Sequence, residues 1–535
     1  MPGRHWNSFG IRRDPKGETE MKKIVAVLLS VLTVCCLLPS LMVGIDAENE
    51  AAPERKVSYY TGSKNGDTAW YTGEATEYVL TSADQFYGFM ALVNSANLTF
   101  DGVTVKLDCD VVFNTGDAST WTPENRPKYE WEPIGNSKAG KKGDGVMFCG
   151  NFDGQGHFIS GIWTARARDT GLFLNCIGAT VKNFAVVNSS FYNTGENAGA
   201  AQGASSVVTR CRNTRIENVY SNAFVRGGWC TGGIVGYWQG STDGYSELRS
   251  CVFAGTVDAT LASGGGAGGL IGTDESAGAM QSDPEACGVV ENCIFSGVYQ
   301  IDGTVRNKTV AMEGGLIGEI QNVTVRCCIN TGRLSATGVD LALWGNIAGQ
   351  IKKEKSTANT EFRNNYYDLS GMASIDRTVG TDQRAKNEAG EYTDKGTFLL
   401  DTCAGLTSAE FTAEKLVGLD FTSVWTAVEG GYPMPIGAWS IWNSVKAIDF
   451  RSLTKPAEED PPKPPVNTNE TPTETKPGPA ESKPETKGND TAGSTPNTTA
   501  DAPEKKDGCS SSLGAVSLAM LLIAGFGAAL IGKKR

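Results

Sequence analysis

The 535-residue chain reads as an all-β protein, a right-handed parallel β-helix, and three observations predict that class. A glycine motif recurs: "GGIVG" from Gly232, "GGLIG" from Gly268, "GGLIG" from Gly314 and a decayed "GNIAG" from Gly345. After a variable insert, each copy is followed by a second signature. These are "RSCVFAGTV" around Cys251, "ENCIFSGVY" around Cys293, "RCCINTGRL" around Cys328 and "RNNYYDLSG" around Tyr366. The segments themselves are short, β-branched or aromatic, bounded by Gly or Asn, and lack a helical period, as in "TVKNFAVVN" (Thr180 to Asn188).

"VKNFAVVNS" and "IENVYSNAF" are earlier copies without cysteine, so the second signature aligns Asn183, Asn218, Ser250, Asn292, Cys327 and Asn364. The resulting spacings are 35, 32, 42, 35 and 37 residues. A kept signature with variable inserts is what stacked coils produce, because the inserts sit on turns outside the core. Each coil should add ~4.8 Å and pair with its neighbours through the backbone. Glycines at the corners (Gly232, Gly236, Gly268, Gly272, Gly314, Gly318) are expected to supply left-handed backbone angles. Stacked Asn side chains are expected to hydrogen-bond along the stack. Cys251, Cys293 and Cys328 share one repeat position, which predicts a buried ladder of small side chains, with disulfides between coils as the alternative.

Taken from the start, residues 1–20 precede the plausible initiator Met21 and read as an untranslated or disordered extension. Residues 21–47 combine Lys22 and Lys23 with an apolar run and a small-residue cleavage site, an export signal. The β-helix domain is placed at 57–450, with repeats over about 170–370 and a closing segment at 400–442. "TSADQFYGFMALVNS" (Thr81 to Ser95) is an amphipathic helix that opens with a Ser82-x-x-Gln85 capping box and should seal the first coil. Residues 455–508 hold eleven of the 21 prolines amid Thr, Glu and Lys, so they cannot bury a core and read as a disordered stalk. Residues 513–532 are apolar or small and end in "KKR", a single transmembrane anchor with the stalk on the outer side. Cys509 beside it is a candidate for lipidation.

The ordered series from about residue 78 to 442 resembles the GLUG-motif repeats of large secreted bacterial surface proteins. "WEPIGNS…FCGNFDGQGHFISGI" (Trp131 to Ile162) is similar to the opening coils that precede such repeats, and "VWTAVEGGYPMP" (Val424 to Pro435) to their close. The departures are Asn346 at the second glycine and a long insert between Ala277 and Gly288. The resemblance implies a β-solenoid on the cell surface, adhesin-like, and carries over no catalytic residue.

Chemistry is sparse. A net charge of −12 argues against a nucleic-acid partner. The glycine motifs lack the Lys-Ser/Thr of a phosphate loop and repeat where a binding loop would occur once. There is no C-x-x-C, H-E-x-x-H or G-x-S-x-G, and the two histidines are His5 and His157. No cofactor or metal is therefore expected. Enzymatic action would have to use carboxylates such as Asp108, Asp110 and Asp153, as a glycan lyase or hydrolase does. The better expectation is noncatalytic binding of a glycan or a host or cell-surface protein. Trp121, Trp229, Trp238 and Trp344 are the candidate ligand contacts, near inserts where aromatic faces could be exposed.

Overall fold

The computed structural model describes residues 55–455 except 136–145, 195–202, 240–243, 262–264, 276–287, 305–311, 353–359, 372–374 and 384–397. The export signal, the membrane span and all of the stalk but Lys455 lie outside the described residues. Among the described residues no helix is long and apolar enough to cross a membrane.

Within this range the chain is built of short strands that pair in parallel, one antiparallel pair near the C-terminal end excepted. One circuit shows the plan. The chain runs through strands Thr180–Val187, Ser190–Asn193, Gly203–Ala204 and Val208–Arg212, then enters Arg215–Ser221. That strand pairs with the start of the circuit, Ile216 opposite Val181 and Val219 opposite Phe184. Repetition of this circuit stacks the strands into sheets of 15, seven, six and four strands, a parallel β-helix-like architecture. Inward-facing side chains form continuous columns. Phe152, Val181, Ile216, Leu248, Val290, Val325 and Phe362 sit in register on successive coils, all sealed from water.

Helix α1 (Ala83–Ala96) begins at Ser82, whose side chain accepts the Gln85 N–H at 3.2 Å, and the Gln85 side chain reaches back to the Thr81 N–H at 2.7 Å. Its face of Phe86, Phe89, Met90 and Val93 is buried in the first coils, Phe86 stacked on Trp131 at 5.4 Å between centroids.

The largest strands bend at one residue, and the aligned asparagines mark the bend. Gln155, Asn183, Asn218, Ser250, Asn292, Cys327, Asn364 and Thr402 all have φ between 50° and 61°. Asn tolerates this left-handed conformation because its short polar side chain can bond locally. Here it bonds along the stack: the Asn218 amide donates to Asn183 at 3.1 Å, and the Asn183 amide to Asp153 at 3.0 Å.

The glycine motifs behave otherwise, which corrects the expectation of left-handed glycine corners. None of Gly232, Gly236, Gly268, Gly272, Gly314 and Gly318 has a positive φ. They are required for contact instead. At this corner the four-stranded sheet folds back against the seven-stranded one, and the layers meet backbone to backbone. A Cβ on Gly232 would stand 2.6 Å from the Gly272 nitrogen, one on Gly268 2.7 Å from the Gly318 nitrogen, and one on Gly272 2.5 Å from the Thr231 nitrogen. Sheets separated by ordinary side chains lie ~10 Å apart, so only glycine on both layers allows this approach. The second glycine has its own task. A Cβ on Gly233 would overlap the Phe253 ring, and one on Gly269 the Phe295 ring. In the next coil Gly315 likewise makes room for Asn330, which stands in register with Phe295. One coil further on Asn346 takes the glycine's place, its amide donating to the carbonyls of Ile375 at 2.5 Å and Arg377 at 3.2 Å.

After the last coil strand, Phe398–Leu406, the closing segment runs back along the outer face of the large sheet, over the asparagine ladder. Its contacts proceed coil by coil toward the N-terminal end. The Val417 carbonyl accepts the Tyr366 hydroxyl at 2.8 Å, and the Trp425 indole donates to Asn292 at 3.1 Å. On helix α2 (Ile436–Val445), Trp442 stacks on Tyr220 at 4.4 Å, and Phe450 beyond it meets Phe158 at 5.1 Å.

Candidate functional site: an aromatic groove with a cationic rim

Between strand Asp110–Val112 and Trp131 the chain leaves the stack in an insert, Phe113 to Glu130. Its ends are clamped by one side chain: the Asn114 amide donates to the carbonyls of Tyr129 and Gly161, both at 2.8 Å, and Asn114 accepts the Tyr129 N–H at 2.8 Å. Asn188 fixes the middle by accepting the Ala118 N–H at 3.0 Å and donating to the Gly116 carbonyl at 2.8 Å. It also reaches the Phe450 carbonyl at 3.2 Å, which ties the insert to the returning C-terminal segment. Asp117 completes the tie with an ion pair to Arg451 at 3.4 Å. Hydrogen bonding to Ser119, together with Arg451, holds the Asp117 carboxyl below its ordinary range.

Under this insert lies a groove of about 490 Å³, floored by Tyr59, Tyr60, Phe113, Trp121 and Tyr129. Tyr60 stacks on Tyr87 at 4.7 Å and meets Tyr129 edge-on at 4.9 Å, while Trp121 packs edge-on against Trp163 at 6.3 Å. Burial pushes the Tyr60 hydroxyl above its ordinary value, so it stays neutral. Arg126, Lys128 and Lys455 form the rim. The Lys128 ammonium sits over the Tyr129 ring at 4.8 Å. A second hollow of about 290 Å³ continues beyond Asp117, between the insert and Ile448 to Arg451. Tyr60, Phe113 and Trp121 are buried, so the groove offers the half-buried rings of Tyr59 and Tyr129, positive charge and a volume within the usual range of small-ligand sites.

Of the four tryptophans nominated as ligand contacts, Trp121 lines this groove, 8% exposed. Trp229 is half-buried, its ring against Gly265. Trp238 and Trp344 require correction: they are 1% and 0% exposed and present no face to a ligand. Trp238 is an inward residue in register with Cys176, Cys211 and Asp274, small side chains that leave room for an indole. Trp344 packs edge-on against Tyr299 at 4.8 Å. The sequence reading missed Tyr59, Tyr60, Tyr129, Arg126 and Lys128. The run "WTPENRPKYEW" (Trp121 to Trp131), prolines and cations between tryptophans, was the available signal.

The paired cysteines of the third repeat separate. Cys327 stands on the bend, its thiol donating to the Gly418 carbonyl at 3.3 Å, whereas Cys328 points inward. Cys251, Cys293 and Cys328 are all fully buried free thiols on successive coils. Each donates to the carbonyl two residues upstream, at 3.2, 3.2 and 3.3 Å. Burial pushes the Cys251 and Cys328 thiols well above their ordinary value, which makes them poor nucleophiles.

The carboxylates considered for catalysis are engaged in structure. Asp110, fully buried, accepts Arg55 Nε and Nη2 at 2.6 and 2.5 Å, His157 Nδ1 at 3.0 Å and the Phe158 N–H at 3.1 Å. Burial alone would push its carboxyl up, but these partners together hold it below the ordinary value. Asp153 accepts Asn183 and the Gln155 N–H at the foot of the asparagine ladder, and Asp108 is exposed beside Lys56. On the seven-stranded sheet, Lys352 bridges Glu319 at 3.0 Å and Glu275 at 3.4 Å, the latter also hydrogen-bonded to Tyr237. Burial raises the Glu319 pKa. Among the described residues no group of three or more His, Cys, Asp or Glu is placed to hold a metal ion.

No family model matches the chain, and no curated protein matches it. Among solved structures, it is similar to one named a "putative immunoglobulin A1 protease" from Bacteroides ovatus, at 19% identity and a TM-score of 0.42, over 70% of this chain and 94% of that one.

Proposed function

We propose that this chain is a noncatalytic surface protein of the GLUG-repeat kind. A right-handed β-helix is displayed outside the cell for adhesion or ligand binding, exported by residues 21–47 and held by the stalk and the span at 513–532. The observation that carries the binding role is the groove of Tyr59, Tyr60, Phe113, Trp121 and Tyr129 with its rim of Arg126, Lys128 and Lys455. Such a floor suits the flat faces of sugar rings, and the insert is held by hydrogen bonds before any ligand arrives, so little ordering cost remains to oppose binding. The noncatalytic part is supported by Asp110 and Asp153, whose oxygens are committed to Arg55, His157 and Asn183 rather than turned to a cleft.

The test is a glycan and host-protein array probed with the full-length chain, with released sugar measured on the same plate. Saturable binding without product is expected. Tyr59→Ala/Tyr129→Ala, with its circular dichroism unchanged, should weaken that binding about tenfold. Release of sugar would overturn the noncatalytic reading and make Glu275 and Glu319 the first residues to replace.

A further inference from the structure

We infer that the groove selects saccharides bearing carboxylates; this rests on the groove being the binding site. Its three rim cations come from two distant stretches, Arg126 and Lys128 from the insert and Lys455 from the end of the returning segment. Folding therefore gathers them over one aromatic floor, on a chain whose net charge is −12. Among the described residues none of the three has a carboxylate within ion-pair distance, although many other cations of the β-helix do, Arg249 with Glu247 and Lys352 with Glu319 among them. The one acidic lining residue, Asp117, cannot neutralise the rim. One of its oxygens faces Arg451, and the other accepts the Ser119 N–H at 3.0 Å and the Ser119 hydroxyl at 2.7 Å. Positive charge is thus left at the groove mouth for a ligand to meet.

The floor points to sugar rather than to an acidic peptide. The half-buried rings of Tyr59 and Tyr129 line the trough over the buried Trp121, and there a pyranose can lay its C–H face while its carboxylate reaches Arg126 or Lys128. Along the seven-stranded sheet, by contrast, Lys352 is already paired with Glu275 and Glu319 and Arg210 with Asp169, so an anion meets less unpaired charge there.

The experiment uses the full-length chain and three carboxylated probes: trigalacturonate, triguluronate and sialyllactose, each beside its uncharged methyl ester, with pentaglutamate as a peptide comparator. At least one acid form should bind about fivefold more tightly than its ester, the ratio that two partly exposed ion pairs supply, and the ratio should shrink as salt rises. In the Arg126→Gln/Lys128→Gln variant the acid should fall to the level of the ester while ester binding persists. Equal binding of acid and ester would overturn the charge selection and leave the groove as the binding site. Pentaglutamate binding as tightly as the best sugar would overturn the choice of saccharide. If no probe binds in either form, the groove itself is wrong as the ligand site, and the selection falls with it.

Discussion

At Asp110 a fully buried carboxylate meets Arg55, His157 and a backbone N–H, and its position explains why a charge is tolerated there. Arg55 ties the first described strand region to the coil of His157, and it also reaches the Gly156 carbonyl at 3.0 Å and Ser444 on α2 at 3.3 Å. Removing the negative charge leaves the half-buried guanidinium without its counter-ion. Asp110→Asn should therefore cost ~2–4 kcal/mol at pH 7 by chemical denaturation. The folded carboxyl titrates below its ordinary 3.8, so its stabilisation is complete above that value and is lost as pH falls through the lower folded pKa. The gap between the two proteins should close in the same acidic window. A gap unchanged down to pH 2 would show that the charge is not what Asp110 contributes. The residue scale also separates what letters conceal. Asn218 and Cys327 occupy equivalent bends although one amide bonds along the stack and the other side chain is a thiol beneath the closing segment.

The glycine motif brings two sheets into contact without side chains between them through its outer glycines, such as Gly232, Gly268 and Gly272, while its second glycine makes room for a ring. Its aliphatic pair turns inward: Ile234, Leu270, Leu316 and Ile347 are all fully buried, the next coil taking over each role in turn. This arrangement predicts a sharp contrast between glycines. Gly268→Ala places a methyl 2.7 Å from both the Gly318 nitrogen and the Leu316 carbonyl, backbone atoms that cannot turn aside. It should cost more than ~3 kcal/mol or prevent folding. Gly102, with φ of 71° and nothing within 4 Å, should lose only the ~1–2 kcal/mol of a left-handed alanine. Thermal unfolding of both variants checks this, and similar losses would mean that the two layers can spread.

Across the whole molecule, the closing segment changes what kind of repeat protein this is. A plain solenoid contacts only neighbouring coils, so its stability is a sum of local terms and its ends can fray. Here the segment from Phe411 to Phe450 crosses from the coil of Tyr366 to that of Phe158, covering Val252, Ile294 and Ile329 on the way. Distant coils are thereby joined, and unfolding should be a single steep transition in urea. Replacing Trp425 and Trp442 together with Ala should loosen the segment along its length. The expected result is a lower midpoint and a broader transition with a smaller apparent m-value, as N- and C-terminal coils unfold separately. A shifted curve of unchanged steepness would mean that the coils cooperate without the segment.

The repeats were legible in the sequence because each coil meets the same neighbours and so retains the same residue types. Alternating apolar residues, a bend at Asn183 or Asn218, a shared slot for Cys251, Cys293 and Cys328 and the parallel pairing all follow from that repetition, while the helix from Ser82 was legible from its own local cap and apolar stripe. Contacts that occur once left no period to read. The reason for the glycines lay in the opposing layer, not in their own backbone angles, and the burial of Trp238 depended on small partners in adjacent coils. The groove was hidden most fully, since Tyr59, Tyr129 and Lys455 come together only when the insert folds over the first coils and the C-terminal segment returns along the stack. Sequence by itself determined the coil; the tertiary structure alone decided which aromatic side chains fill it and which line an opening, because burial depends on what packs across from a residue and not on the residue itself.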